Sequence, residues 1–352
     1  MKPLAKHARN LHRLERARGG TVPMQPSASR LRIAALMLGV AAILNFHGAF
    51  AQEYPAKPVR MVLSFPPGGG TDAIARPLAQ RMAKSLGQPV IVDHRPGANG
   101  ILALEFVARS PADGHTLILS NVGPIAMNPA LYDKLPYDPV KSFAPITLVG
   151  SAQYVLLVHP SMSVKSVKEF LALARKRPGA INYATTGVGS TPHLAGELLK
   201  NLAGIEIVSV QYKGGGPALI AVMSGEVSMY FASMPSALPH MKSGRLLGVA
   251  VSGAKRSSAA PELPTVAEAG VSGFEVDGWY GVMAPAGTDA ARVTRLASVI
   301  HEALQGPELR EQFRIQGIDI VYGSTQEFSN YIEREIGKWS KVARASGIKA
   351  EL

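Results

Sequence analysis

From residue 59 onward, short apolar runs alternate with longer runs of helical periodicity. VRMVLSF, residues 59–65, has the length and continuity of a buried parallel strand. TDAIARPLAQRMAKSLG follows it, with Ile74, Leu78 and Met82 at spacing four on one helical face. Pro77 inside this run predicts a kink or an interruption. PVIVD reads as a second strand. ILALEFVARSPA reads as a second helix ended by Pro111, and HTLILSN as a third strand. This β-α-β-α-β order predicts a doubly wound parallel sheet flanked by helices, an α/β fold.

The pattern then restarts. YVLLVHP (154–160) is apolar and extended, and SVKEFLALARKRPG is a helix stopped by Pro178-Gly179. Strand-like INYAT, IEIVSVQY, VSMYFAS and LLGVAVSG alternate with helix-like LAGELLKNLAG, PALIAVMSGE and SALPHMKSG. FEVDGWYGVMAPAG reads as a return strand, followed by amphipathic helices at 289–305 and 325–346. A chain that builds one α/β unit, builds a second and comes back predicts two hinged lobes. The expected division is 52–153 plus 278–352 for one lobe and 154–277 for the other. The crossings are expected near Gly150–Tyr154 and Val276–Gly281.

Glycine-rich loops punctuate the strand-to-helix junctions. SFPPGGGTD (64–72) and TTGVGSTPH (185–193) each follow a strand and open a helix. Glycine permits close approach of another group to the backbone. A helix start offers unpaired N–H groups and partial positive charge. The first loop reads equally as an anion site or as a plain turn with a Thr or Asp cap, and in the second a helix cap by Ser190 or Thr191 is expected alongside the anion site. In open α/β sheets ligands sit outside the carboxyl ends of the strands, where both loops fall, one in each lobe. If the lobes face each other, a ligand with negative groups at both ends would bridge them.

Composition changes the picture mainly at the amino terminus. Residues 1–51 hold eight Lys/Arg and one acid, then the apolar run IAALMLGVAAILNF and the small-residue site Ala49-Phe50-Ala51. Those are the three parts of a secretory signal peptide cleaved after Ala51. The apolar run is short for a membrane anchor. No Arg-Arg pair precedes it, which argues against the twin-arginine route, and Met24 is an alternative start. Taking eight basic and one acidic residue from totals of 37 and 25 leaves 29 and 24, so the net charge falls from +12 to +5. The basic balance therefore belongs largely to targeting and gives no reason to expect a nucleic-acid partner. A mild positive field favours small anions. With no cysteine there is no disulfide, thiol nucleophile, Cys-ligated zinc or lipid anchor on an N-terminal Cys. The expected location is the periplasm, and the expected state is a monomer.

Catalytic and cofactor signatures are weak. No loop matches G-x-x-x-x-G-K-[ST], and Pro192 stands where GVGSTP would need its last glycine as a dinucleotide fingerprint. No G-x-S-x-G elbow occurs, and no histidines stand at H-x-x-x-H spacing. Asp72 and Glu197 read as caps or solvated carboxylates rather than a pair. No cofactor, metal or enzyme activity is expected.

YPAKPVRMVLSFPPGGGTDAIAR, GQPVIVDHRPGANG, DGHTLILSN, NPALYDKLPYDPVKSFAPIT, INYATTGVGSTPHLAGELL, VQYKGGGPALIAVMSGEV, MPSALPHMKSGRLLGVAV and ELPTVAEAGVSGFEVDGWYGVMAPAGT occur in this order. The chain over 54–345 thereby resembles the Bug-type periplasmic solute receptors of tripartite tricarboxylate transporters. The resemblance implies a two-lobed, Venus-flytrap fold with a small carboxylate held in the cleft. Pro67, Gly68, Gly69, Thr71 and Asp72 match the loop that closes on the ligand, partly through ordered water. Thr186, Gly187, Gly189, Ser190, Thr191 and His193 match the loop that holds a carboxylate. Ser120, Asn121, Tyr212 and Ser233 are further candidates for the cleft wall. The implied partners are the membrane components of such a transporter. A sensor protein is the alternative, and a secreted enzyme on the same fold a remoter one. His94 stands where the family often has Asn, and Ala232 where many members have Asp. The second departure removes a partner for an amine and favours simple or aromatic carboxylates over amino acids.

Overall fold

The structure, a computed structural model, describes residues 54–346 and Lys349. The proposed signal peptide lies outside the described residues. Residues from Tyr54 onward form one compact unit.

The first three strands are β1 (Val59–Leu63), β2 (Val90–His94) and β3 (Thr116–Asn121). β1 pairs in parallel with both others. Between them run α1 (Gly70–Leu86) and α2 (Ile101–Ala108). α1 passes Pro77 without a break and ends at Gly87 in the left-handed conformation, a common helix stop. Its apolar stripe of Ile74, Leu78 and Met82 buries against Met61, Leu63 and Leu119. A π-turn at Gly123–Met127 and the short α3 (Asn128–Leu131) follow.

β4 (Phe143–Val158) is the element the sequence pattern divides wrongly. Only its second half reads as a strand. Pro145 and Gly150 obscure the first half, and both fall at register shifts against β9 (Asp277–Pro285). The first half of β4 pairs with β9 from Phe143 to Gln153, and β9 pairs with β3. The second half pairs with β7 (Met229–Ser233) and β8 (Leu247–Val251). β5 (Ile181–Thr185) continues the second sheet in parallel with β7 and with β6 (Ile207–Gln211). The order is β2-β1-β3-β9-β4-β7-β5-β6, with β8 also on β4. One long strand, β4, thus belongs to both parts of the sheet.

Helices α4 (Val167–Lys176), α5 (Thr191–Ala203), α6 (Gly215–Met223) and α7 (Met234–Lys242) cover the second sheet. The return strand leads to α8 (Ala290–Gln305), α9 (Pro307–Ile315) and α10 (Thr325–Ser346). α9 is not expected from the sequence pattern. Its signal is Leu309 and Phe313, spaced by four and buried. α10 seats Phe328 and Trp339 against Trp279 of β9. Both indole N–H groups donate to Glu335 Oε2, at 3.0 and 3.1 Å, so the buried carboxylate is partnered.

Candidate functional site

The carboxyl ends of β1, β3, β5 and β7 open toward one another, and the chain leaves three of them for a helix. A cleft between them is lined by the first turns of four helices. They contribute Gly70 and Thr71 of α1, Thr191 and Pro192 of α5, Gly215 of α6, and Ser233 and Ser236 at the start of α7. None of these four helices has a side-chain hydrogen bond capping its first turn. Of the helices elsewhere, α4 and α8 are capped by Ser166 and Asp289, whereas α2 and α9 have no side-chain cap either. Uncapped first turns leave donor N–H groups and the positive ends of four dipoles at one place.

The rest of the wall is neutral. Phe65, Gly69, Asn99, Asn121, Gly123, Thr186 and Ser190 contribute, with three tyrosines. Tyr154, Tyr230 and Tyr280 come from β4, β7 and β9 and are all buried. Burial pushes each phenol up, so each hydroxyl remains protonated and able to donate. Among the described residues, no Lys, Arg, His, Asp or Glu lines the cleft. Thr191 Oγ1, Asn121 Oδ1 and Asn99 Oδ1 are buried without an aligned hydrogen-bond partner among the described residues. Buried polar atoms are usually satisfied, so such a cluster marks a place for water or a ligand. The cleft is narrow. Its volume is about 450 Å³.

The two glycine loops bear different parts of this arrangement. In the first loop, Gly69 and Thr71 line the cleft. Pro67, Gly68 and Asp72 do not. Asp72 accepts from the Gly68 N–H at 3.1 Å and from Arg76 Nε at 3.0 Å. His94 Nε2 lies 3.1 Å from the same carboxylate, and its Nδ1 lies 2.8 Å from the Phe65 carbonyl. Asp72 and the unusual His94 therefore brace the loop. Glu197 sits apart, bonded to the Tyr183 hydroxyl and paired with Lys200.

In the second loop, Thr186, Ser190 and Thr191 line the cleft, while Gly187, Gly189 and His193 do not. Ser190 occupies the cap position of α5 but accepts from the Thr186 N–H at 3.2 Å instead of capping. His193 Nδ1 accepts from the Gly189 N–H at 3.2 Å. Burial holds its imidazole below the usual histidine range. Several loop amides are thus spent inside the loop, and the free donors are those of the helix start.

Asn121 and Ser233 line the cleft. Ser120 lies behind it, 3.2 Å from the Ser64 hydroxyl. Tyr212 is outside, its hydroxyl donating to Glu226 at 2.7 Å. The sequence pattern does not single out Tyr154, Tyr230, Tyr280 or Asn99. Each tyrosine stands in an apolar strand and reads as core.

Glycine is required at position 70. A Cβ on Gly70 would fall 2.5 Å from the Tyr280 hydroxyl and 2.6 Å from Ser233 Oγ. A Cβ on Gly215 would meet Gly69 Cα at 3.5 Å, and one on Gly216 the Pro67 carbonyl at 3.2 Å. The first loop is therefore packed across the cleft onto the glycines of KGGGP.

The profile of the tripartite tricarboxylate transporter family receptor matches residues 74–348. The chain is 38% identical over 300 residues to protein BugT of Bordetella pertussis, covering 85% of this chain and 92% of that one. Among solved structures, R. palustris Rpa4515 with adipate is 36% identical, with TM-score 0.82 over 84% of this chain and 99% of that one. MatC from Rhodopseudomonas palustris with bound malate is 32% identical, with TM-score 0.79 over 82% and 99%. The periplasmic binding protein BugD is 30% identical, with TM-score 0.82 over 85% and 100%.

Proposed function

Because the chain belongs to the tripartite tricarboxylate transporter receptor family, we propose that it captures a small carboxylate in the cleft and presents it to a transporter of that type. The observation that carries the reading is the convergence of four uncapped helix starts on a wall with no charged side chain. Such a site favours an anion through oriented neutral donors and dipoles. Hydrogen bonds to a charged group contribute about 1.5–3 kcal/mol each. Three or four suffice for micromolar binding, about 8 kcal/mol. Donors in the wall are Thr71, Thr191, Ser233 and the three phenols. The adipate and malate of the related structures are carboxylates of this kind.

We assign 52–153 with 278–352 to one lobe and 154–277 to the other. The Gln153↔Asp277 pair of β4 and β9 supports this boundary. Ligand contacts both lobes only when they are closed, so differential affinity drives closure. A monomeric periplasmic receptor, exported by its leader, fits this role. The test is thermal unfolding of residues 52–352 with millimolar acids and their amides. A ligand at 100 times its dissociation constant stabilises by about 2.7 kcal/mol. One acid that stabilises while its amide does not supports the reading. Silence across the panel, after refolding to remove co-purified ligand, refutes it.

A further inference from the structure

The last helix, α10, has two unlike faces. Phe328, Ile332, Glu335, Trp339 and Ala343 recur at spacings of three and four and are buried. The opposite face is cationic. Arg334, Lys338 and Lys341 stand at spacings of four and three, and Arg344 follows three residues on. All four are exposed. At a rise of about 1.5 Å per residue they form one stripe about 15 Å long.

The helix gives this stripe no counter-charge. None of the four cations lies within ion-pair distance of a carboxylate among the described residues. Arg334 and Lys338 lie instead near the rings of Tyr331 and Trp339, at 5.6 and 5.5 Å. The acids of α10 are placed elsewhere. Glu327 accepts from the Ser324 N–H at 2.7 Å, Glu335 accepts from two indoles, and Glu333 stands about 100° round the helix from Arg334. Like charges three or four residues apart disfavour a helix, so the stripe costs stability. The helix dipole rewards cations only in the last turn, which holds Arg344. Arg334 and Lys338 lie well before that turn and need another reason.

The chemistry beside the stripe selects the partner. Protein interfaces are anchored by aromatic or apolar side chains that fill pockets. Among the described residues, no large apolar side chain of α10 is exposed. A row of long cationic side chains without an apolar anchor fits a diffuse layer of negative charge, such as the phosphate headgroups of an anionic bilayer. Such a row rests on headgroups and does not enter the acyl region, so the association is reversible.

We propose that α10 docks the protein onto an anionic lipid surface through Arg334, Lys338, Lys341 and Arg344. The contact leaves the cleft free and holds the receptor in the layer where a membrane transporter sits. It does not depend on which ligand the cleft takes.

Co-sedimentation of residues 52–352 with phosphatidylcholine vesicles, with and without about 30 mol% phosphatidylglycerol, tests this. The protein is expected on the anionic vesicles alone at low ionic strength, and to be released as salt is raised. Each cation near such a surface is worth about fivefold in partition. The triple variant Arg334→Gln, Lys338→Gln, Lys341→Gln should therefore partition about a hundredfold more weakly. Lys165, Lys168 and Lys176 at α4 are also exposed and outside ion-pair distance of any carboxylate among the described residues. Changing those three to Gln removes the same net charge and should leave partition within about threefold. The unfolding midpoint of the α10 variant should be unchanged or higher, which separates lost docking from lost folding. Absence of the parent protein from anionic vesicles at low salt overturns the proposal. So does an equal loss in the two triple variants, which would trace binding to net charge. Binding of soluble poly-glutamate through the α10 stripe, with the vesicles ignored, overturns the lipid assignment and gives the stripe to an acidic protein segment.

Discussion

Thr191 carries a buried hydroxyl with no aligned partner at the start of α5. A protein does not leave such a group unsatisfied without a use for it. Thr191→Val keeps the shape and removes the hydrogen-bonding group. Ligand affinity is expected to fall about tenfold, the worth of one net hydrogen bond of about 1–1.5 kcal/mol. The unfolding midpoint without ligand should be unchanged or slightly higher, because the desolvation cost disappears. Titration calorimetry and thermal unfolding check the two halves. His193 acts differently, by shaping the loop. Its Nδ1 accepts the Gly189 N–H, which requires that nitrogen unprotonated. Burial lowers its pKa below the ordinary value, opposed by the nearby Glu197 and assisted by Lys200. A depressed histidine adds stability that is present above its unfolded pKa, near 6.5, and is lost as the pH falls through the folded value. Loop order and affinity should therefore decline between pH 7 and 5.5. His193→Gln, which still offers an acceptor and does not titrate, should flatten that decline. An affinity profile equally steep in the variant would show that His193 is not its source.

At the scale of elements, the glycines of α1 are set by what lies across the cleft. Gly70 is helical and free of positive φ, so alanine fits its backbone and favours a helix by up to about 1 kcal/mol. Its Cβ, however, would collide with the Tyr280 and Ser233 hydroxyls. Because we assign Tyr280 to the same lobe as Gly70, opening does not relieve that clash, and Gly70→Ala is expected to lower the unfolding midpoint without ligand and to weaken ligand binding by about a hundredfold or more. Denaturant unfolding and calorimetry on the same preparation separate the two effects. Much of this was legible in the sequence. Strand-loop-helix order located both loops, and the hydroxyls of TTGVGSTPH marked the cleft side of α5. The rest was not, for specific reasons. Tyr154, Tyr230 and Tyr280 lie on three strands far apart in the chain, and their hydroxyls meet only because β4 is shared between the sheets. The first half of β4 carries Pro145 and Gly150, which read as loop, yet both sit at register shifts that a strand tolerates. Ser190 occupies a cap position and declines to cap, a choice made by the fold of its own loop.

For the whole molecule, the interlocked loops describe a closed receptor. A Cβ placed on Gly216 would lie 3.2 Å from the Pro67 carbonyl, one on Gly215 3.5 Å from Gly69 Cα, and one on Gly187 3.8 Å from Asn99. Little apolar area is sealed by glycine against glycine, so this contact contributes little attraction of its own. What glycine supplies is the absence of a barrier to approach. The attraction must then come from a ligand held from both sides, and we propose that the paired strands β4 and β9 flex near Gln153 and Asp277 as it binds. Ligand binding and closure are one equilibrium on this account, and a ligand shifts it only by its differential affinity for the two states. Small-angle scattering of residues 52–352 should therefore show a smaller radius of gyration with a stabilising acid than without it. Gly70→Ala should stay at the larger value at the same acid concentration. An unliganded protein already as compact as the liganded one would mean that the lobes close on their own, and that the acid enters a preformed site.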